Sequence, residues 1–170
     1  QAAMGKTVAR VLPPTKAHKF CWFNGDPADY GNRLKGRTLE RAEGFGIFCE
    51  LGFEKERLCV NDGVNVRLLS ASNAPKDYQL MMEFTDGSAL VFTVAMYGGI
   101  VLHNGDYDNE YYQKSLAAIS PFSADFPAYY HELVAGSKPN LSAKALLATE
   151  QRFPGIGNGV LQDILFAARV

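Results

Sequence analysis

The sequence predicts an α+β protein, an N-terminal antiparallel β-sandwich followed by a helical subdomain. Three observations predict it. Roughly the first hundred residues break into short apolar runs separated by Gly, Asn, Asp or Pro, the pattern of a layered antiparallel β domain. One of those breaks, Asp86-Gly87, is the strongest hairpin signal in the chain. Beyond it the apolar period becomes helical, and the breaks turn into caps and stops. The expected division is 1–104 for the sandwich and 105–170 for the helices.

Taken in order, residues 1–4 read as the tail of a helix. A strand over 7–12 stops at Pro13-Pro14, which cannot continue a ladder. Asp26 followed by Pro27 reads as an N-cap with proline at the first helical position, opening a short helix toward Leu34. Strands are expected over 38–42, 46–51, 57–60, 64–69, 78–84, 89–94 and 99–102. A helix over 109–119 ends at Ser120-Pro121, and another over 126–135 ends at Gly136. Ser142 can cap a helix running to about Gln151 with Leu146 and Leu147 on its buried side. A last helix, with Asn158 as cap, carries Val160, Leu161, Ile164, Leu165 and Ala168 on one stripe.

Composition excludes several classes. Apolar residues are 47% and charged residues 21%, which argues against disorder. No apolar stretch is long enough to cross a bilayer, so no membrane partner is expected. Cys21, Cys49 and Cys59 are odd in number and form no C-x-x-C pair, so neither a disulfide scaffold nor a zinc site is expected. Cys49 and Cys59 read as small core hydrophobes. The net charge of −1 announces no polyanion, but two basic stretches stand out. Lys6, Arg10, Lys16 and Lys19 form one, and from Ser137 onward four basic residues face two acidic ones. His18, His103 and His131 read as surface or capping residues. Asp106 to Glu110 lacks the glycine of a calcium loop and reads as an acidic helix start.

The informative segment is SAKALLATEQRFPGIGNGVLQDILF, residues 142–166. It reads as helix, glycine-bearing turn, helix. The amide groups at the start of the second helix, with the positive end of its dipole, suit an anion. Gly155 and Gly157 would let the backbone approach a phosphate closely, since no Cβ intervenes. Asn158 either caps the helix or donates its amide to a phosphate oxygen, and Lys144 could supply a cation to the same strand. A plain helical hairpin has the same spacing.

The stretch is similar to the helix–two-turns–helix element of the formamidopyrimidine-DNA glycosylase / endonuclease VIII family. That element typically reads Lys, Leu, Leu, a polar stretch with Gln, then Gly-Ile-Gly-Asn and a helix with an acidic residue before Leu-Phe. By that match Lys144 and Asn158 would grip the DNA backbone, and Asp163 takes the acidic position. Ser123-Ala124-Asp125-Phe126 and the β-rich first part also agree with the family. The resemblance implies base-excision repair of double-stranded DNA containing oxidised bases by a DNA glycosylase/AP lyase. In such an enzyme the base is flipped from the stack, and an N-terminal proline amine, assisted by a glutamate, attacks the sugar. It also implies a monomer, a cytoplasmic or nucleoid-associated setting, and a zinc finger in a C-terminal part.

The chain departs from that pattern. Position 1 is Gln1, so no catalytic residue of the scheme is present and no strand cleavage is expected of these residues. Both ends read as cut, and no cofactor is expected between them. The family's early-strand lysine has no counterpart in residues 41–46. Asp62 stands near the place of an intercalating methionine, where a carboxylate makes a poor wedge. Met96-Tyr97-Gly98 falls where the family has Arg-Phe-Gly, so Tyr97, with Met96 beside it, either stacks into the gap left by a flipped base or packs in the core. Two other readings compete: a non-catalytic damaged-DNA-binding relative, and an RNA-binding protein, the latter disfavoured by so large a β domain before the helices.

Overall fold

In the computed structural model, which describes residues 1–149 and 152–170, the chain is α+β and divides into two compact units. One holds Gln1–Gly44 and Phe48–Tyr107, the other Phe45–Ile47 and Asp108–Val170. The junction therefore falls at 107/108, and the short segment Phe45–Ile47 groups with the helices.

The first unit is a two-sheet sandwich. A four-stranded sheet has the order β1 (Val8–Leu12), β7 (Leu80–Phe84), β8 (Ser88–Val94), β6 (Val64–Ser70). A five-stranded sheet has the order β2 (Cys21–Phe23), β9 (Gly98–His103), β5 (Glu56–Val60), β4 (Phe48–Phe53), β3 (Arg41–Phe45). The β1–β7, β7–β8, β6–β8, β4–β5 and β5–β9 pairs are antiparallel. The β2–β9 pair is parallel, with Cys21 opposite Gly98, a departure from the expected antiparallel pattern. A strand of three residues shows no period of its own; only its long-range partner defines it.

Side chains from both sheets meet between them: Val8, Leu51, Phe53, Leu58, Met82, Phe92 and Leu102 belong to one buried cluster. Each fully buried Leu or Phe there contributes about 1.5–3 kcal/mol. Met81, Ala89 and Val91 form a second cluster, packed by Leu12, Leu69 and Tyr78. Both faces of β7 and β8 are thus covered, which is why their sequences run apolar without alternating. The Asp86-Gly87 hairpin forms as expected. Gly87 takes φ +81°, and Asp86 Oδ1 accepts from the Ser88 amide at 2.9 Å. Asp26 caps a 3₁₀ turn at Pro27–Asp29 that leads into α1 (Tyr30–Leu34). Tyr30 is buried with its hydroxyl donating to the Ile100 carbonyl at 3.0 Å and accepting from the Leu102 amide at 3.3 Å.

One side chain departs from expectation. Cys49 is exposed, because β4 turns Phe48 and Glu50 inward and Cys49 outward, while Cys59 is buried. His103 is buried, so of the surface and capping roles expected it takes the second: its Nδ1 accepts the Gly105 amide at 3.2 Å, while its Nε2 lies 3.4 Å from buried Glu50. Glu50 also has Arg41 at 3.4 Å and Arg57 at 3.8 Å, so the carboxylate inside the sheet is compensated by charge.

The second unit holds α2 (Glu110–Leu116), α3 (Phe126–Ala135), a π-helical turn (Ala145–Thr149) and α4 (Asn158–Ala168). Asn109 caps α2, accepting from the Tyr112 amide at 2.9 Å. The helix closes at Leu116, short of the expected 119, where the Ala117 amide turns back to Gln113. α3 matches its expected span and ends at Gly136. Ser142 Oγ accepts from the Ala145 amide at 3.1 Å, the predicted cap. The predicted end of that helix at Glu150-Gln151 lies outside the described residues. On α4 Leu161 is buried and Leu165 half-buried, but Val160 is 54% exposed and Ile164 37%.

Candidate nucleic-acid interface

The turn before α4 is built on glycine. Gly155 takes φ +97°, and a Cβ there would sit 2.9 Å from the Gly46 carbonyl oxygen and 3.0 Å from Gly46 Cα. Gly46, at φ +55°, itself lies against Ser115 Oγ. The close approach predicted for Gly155 is therefore made to protein backbone and not toward open space. Gly155 N–H also donates to Tyr111 Oη at 3.3 Å, and Tyr129 Oη donates to the Arg152 carbonyl at 3.0 Å. Phe153 packs among Phe126, Tyr129 and Tyr130, with ring centroids 6.0 Å away in each case. These contacts fix the path of residues 152–156.

What that turn presents is Gly157. Its backbone is extended (φ −87°, ψ 170°), its carbonyl accepts the Leu161 amide at 2.9 Å, and no atom lies within 4 Å of where a Cβ would stand. Gly157 is thus the N-cap, and Asn158, expected as cap, is the first helical residue; both are exposed. Glycine suits this cap because its extended backbone carries no side chain across the opening. Lys144 is exposed on the turn that follows Ser142. Lys144, Gly157 and Asn158 border one pocket of 290 Å³ with Ala148, Thr149 and Ile156. The helix dipole and the amides of its first turn face an anion best at such an opening. Asp163, further along α4, is exposed.

Met96 and Tyr97 lie in the first unit, in the loop between β8 and β9, and stand 69% and 48% exposed, so they are surface and not core. The loop is held from below. Gly63 N–H donates to the Tyr97 carbonyl at 3.1 Å, and the Asn61 side chain accepts from the Gly99 amide at 2.7 Å. A Cβ on Gly63 would meet the Tyr97 carbonyl at 2.7 Å. Asp62, at φ +50°, shapes the turn beneath; partial burial pushes its carboxyl above the usual range. Burial likewise raises the Tyr107 phenol, with Cys59 and Asp62 adding to it.

No family model matches the chain. Formamidopyrimidine-DNA glycosylases from two strains of Lactobacillus delbrueckii subsp. bulgaricus are 26% identical over 180 aligned positions. That match covers 97% of this chain and 65% of each relative's length. Along nearly its whole length the chain is thus similar in sequence to formamidopyrimidine-DNA glycosylases. Solved structures agree in fold. The Lactococcus lactis Fpg in complex with FAPY-dG-containing DNA superposes at a TM-score of 0.77 and 18% identity, over 99% of this chain and 63% of that one. The MutM (Fpg) protein of Thermus thermophilus gives 0.71 at 20% identity, over 99% and 59%. The fold of those structures thus extends over residues of both units.

Sequence reasoning missed two features of this chain. Gly46 gave no signal, since a glycine in a strand-like run looks like any hairpin residue. Phe20 and Trp22, which share a pocket with Met96 and Tyr97, were passed over because β2 was too short to show. Among the described residues no group of three or more His, Cys, Asp or Glu gathers to hold a metal, and no helix is long and apolar enough to cross a membrane.

Proposed function

We propose that the chain grips double-stranded DNA containing oxidised bases and serves a base-excision repair DNA glycosylase/AP lyase. One observation carries the proposal: Lys144, Gly157 and Asn158 border a single exposed pocket at the start of α4. There a phosphate would meet an ammonium group, open backbone amides and a side-chain amide at the positive end of a helix. The names of its curated relatives and the damaged DNA held by the Lactococcus lactis structures support the reading. In it, Lys144 and Asn158 hold the backbone, while Tyr97 and Met96 fill the gap left by an extruded base. The scheme's attacking group is an N-terminal proline amine. Lys144, Asn158, Met96 and Tyr97 are assigned binding roles beside that chemistry. A monomer reaching cytoplasmic or nucleoid DNA fits the reading. Zinc, if the protein holds any, would belong to residues other than these.

A second reading, a non-catalytic damaged-DNA-binding relative, draws support from residues 41–46, which lack the family's early-strand lysine. It separates from the first on whether the gene encodes a proline–glutamate start before Gln1.

Lys144→Ala tests the grip. A lost phosphate contact weakens binding about equally for all sequences and flattens the salt dependence, lowering the slope of log K against log[salt] by about one. Fluorescence anisotropy on an abasic duplex between low and moderate salt measures both. An unchanged slope removes Lys144 from the interface.

A further inference from the structure

The loop that carries Met96 and Tyr97 is flanked by Phe20 and Trp22, two exposed aromatic residues to which the proposed function gives no role. Phe20 is 47% exposed and Trp22 54%, and with Met96 and Tyr97 they put four large apolar side chains on one open pocket of 800 Å³. The architecture produces this arrangement directly. β2 runs parallel to β9, Cys21 and Phe23 pack against the core, and the alternation leaves Trp22 outward. The Phe20 carbonyl accepts the Gly98 amide at 3.0 Å, which ties this strand to the residue following Tyr97. The charged or protonatable side chains lining the pocket are Lys19 and His18, and Lys19 Nζ stands 5.1 Å from the centre of the Phe20 ring. His18 Nδ1 accepts the Phe20 amide at 3.3 Å, which fixes the ring at the rim.

We infer that this surface is a stacking platform for unpaired bases of a nucleic-acid strand, with Trp22, Phe20 and Tyr97 under the bases and Lys19 on the backbone. It rests on the nucleic-acid reading for its class of ligand, and it extends the role of Tyr97 in that reading to Phe20 and Trp22. Flat aromatic faces beside the Lys19 ammonium group, with no acidic side chain in the lining, match the bases and phosphate of a single strand. An acidic peptide would use Lys19 but gains little from three aromatic faces. A neutral apolar partner would use the faces but leaves Lys19 at the rim unpaired.

Trp22 is the single tryptophan of the chain, so its fluorescence reports this site alone. Titration of the whole chain with an oligothymidylate should quench Trp22 as thymine stacks on the indole, whereas heparin, a polyanion without bases, should not. In anisotropy with a labelled oligothymidylate, Trp22→Ala should lower affinity about tenfold. Trp22→Phe should keep most of it, and Trp22→Leu should behave like Trp22→Ala. Equal quenching by heparin, or full affinity in Trp22→Leu, overturns stacking; the latter result would mark an apolar protein-docking face. Duplex binding through Lys144 with Trp22 unmoved by either DNA overturns this inference and leaves the proposed function standing. Quenching by oligothymidylate without any duplex binding does the reverse.

Discussion

Gly155→Ala puts the turn before α4 to the test. The residue sits at φ +97°, where an L side chain is strained at a cost of about 1–3 kcal/mol. The new methyl would also stand 2.9–3.0 Å from three backbone atoms of Gly46, which cannot swing aside as a side-chain tip could. Overpacking against such a wall costs about 1–3 kcal/mol more. The sum is a loss of about 2–6 kcal/mol, a large part of an ordinary domain's stability. Gly157→Ala is the internal control. Gly157 has an extended backbone and open space around it. There a methyl stiffens the unfolded chain but makes a poorer cap, and the two effects leave stability within about 1 kcal/mol of the parent. Urea unfolding followed by circular dichroism at 222 nm reports mainly the helices, and Trp22 fluorescence in the same samples reports the sandwich. The reasoning fails if Gly155→Ala unfolds within about 1 kcal/mol of the parent, or if the two glycine variants lose equal stability.

Two further outcomes follow from the sandwich. The Asp86 carboxyl is held well below the usual carboxylate range by Lys6, then by the Ser88 hydroxyl and amide. A carboxyl lowered by folding stabilises the fold fully above its unfolded value of 3.8 and loses that contribution as the pH falls below it. The melting temperature of the parent should therefore fall more steeply on acidification than that of Asp86→Asn; parallel curves would refute the assignment. In iodoacetamide labelling of the native protein read by mass spectrometry, Cys49 should react first, being exposed. Cys21, whose thiol burial pushes up to about 11, should follow. Cys59, pushed to about 12 by burial with help from Glu50, should stay unlabelled until the protein unfolds. Labelling of Cys59 as fast as Cys49 would show that the strand pair covering it opens readily.

Elements with local chemistry were legible in the sequence. Asp26-Pro27, Asp86-Gly87, Ser142 and Gly136 each place a cap or a turn through groups a few residues apart, and each does so in the structure. What long-range pairing decides was not legible. β2 exists because β9 receives it, and Glu50 and His103 are buried because strands distant in sequence bring charges to one another. The candidate site was legible in the same uneven way. Lys144, Gly157 and Asn158 share one pocket at the start of α4. Gly155 looked equivalent to Gly157, yet the first is spent on Gly46 and the second is open, a difference no spacing can express.

The tip of the β3–β4 hairpin has a consequence for how the chain can be divided. Phe45 lies edge-on to Tyr112 at 5.4 Å, and Gly46 forms the floor under Gly155, so the helical unit is assembled from two separate stretches of polypeptide. Cutting between 107 and 108 would deliver the helical segments without the loop on which their last turn is seated. Seating that turn closes a long loop of intervening chain, whose entropic cost grows only slowly with its length.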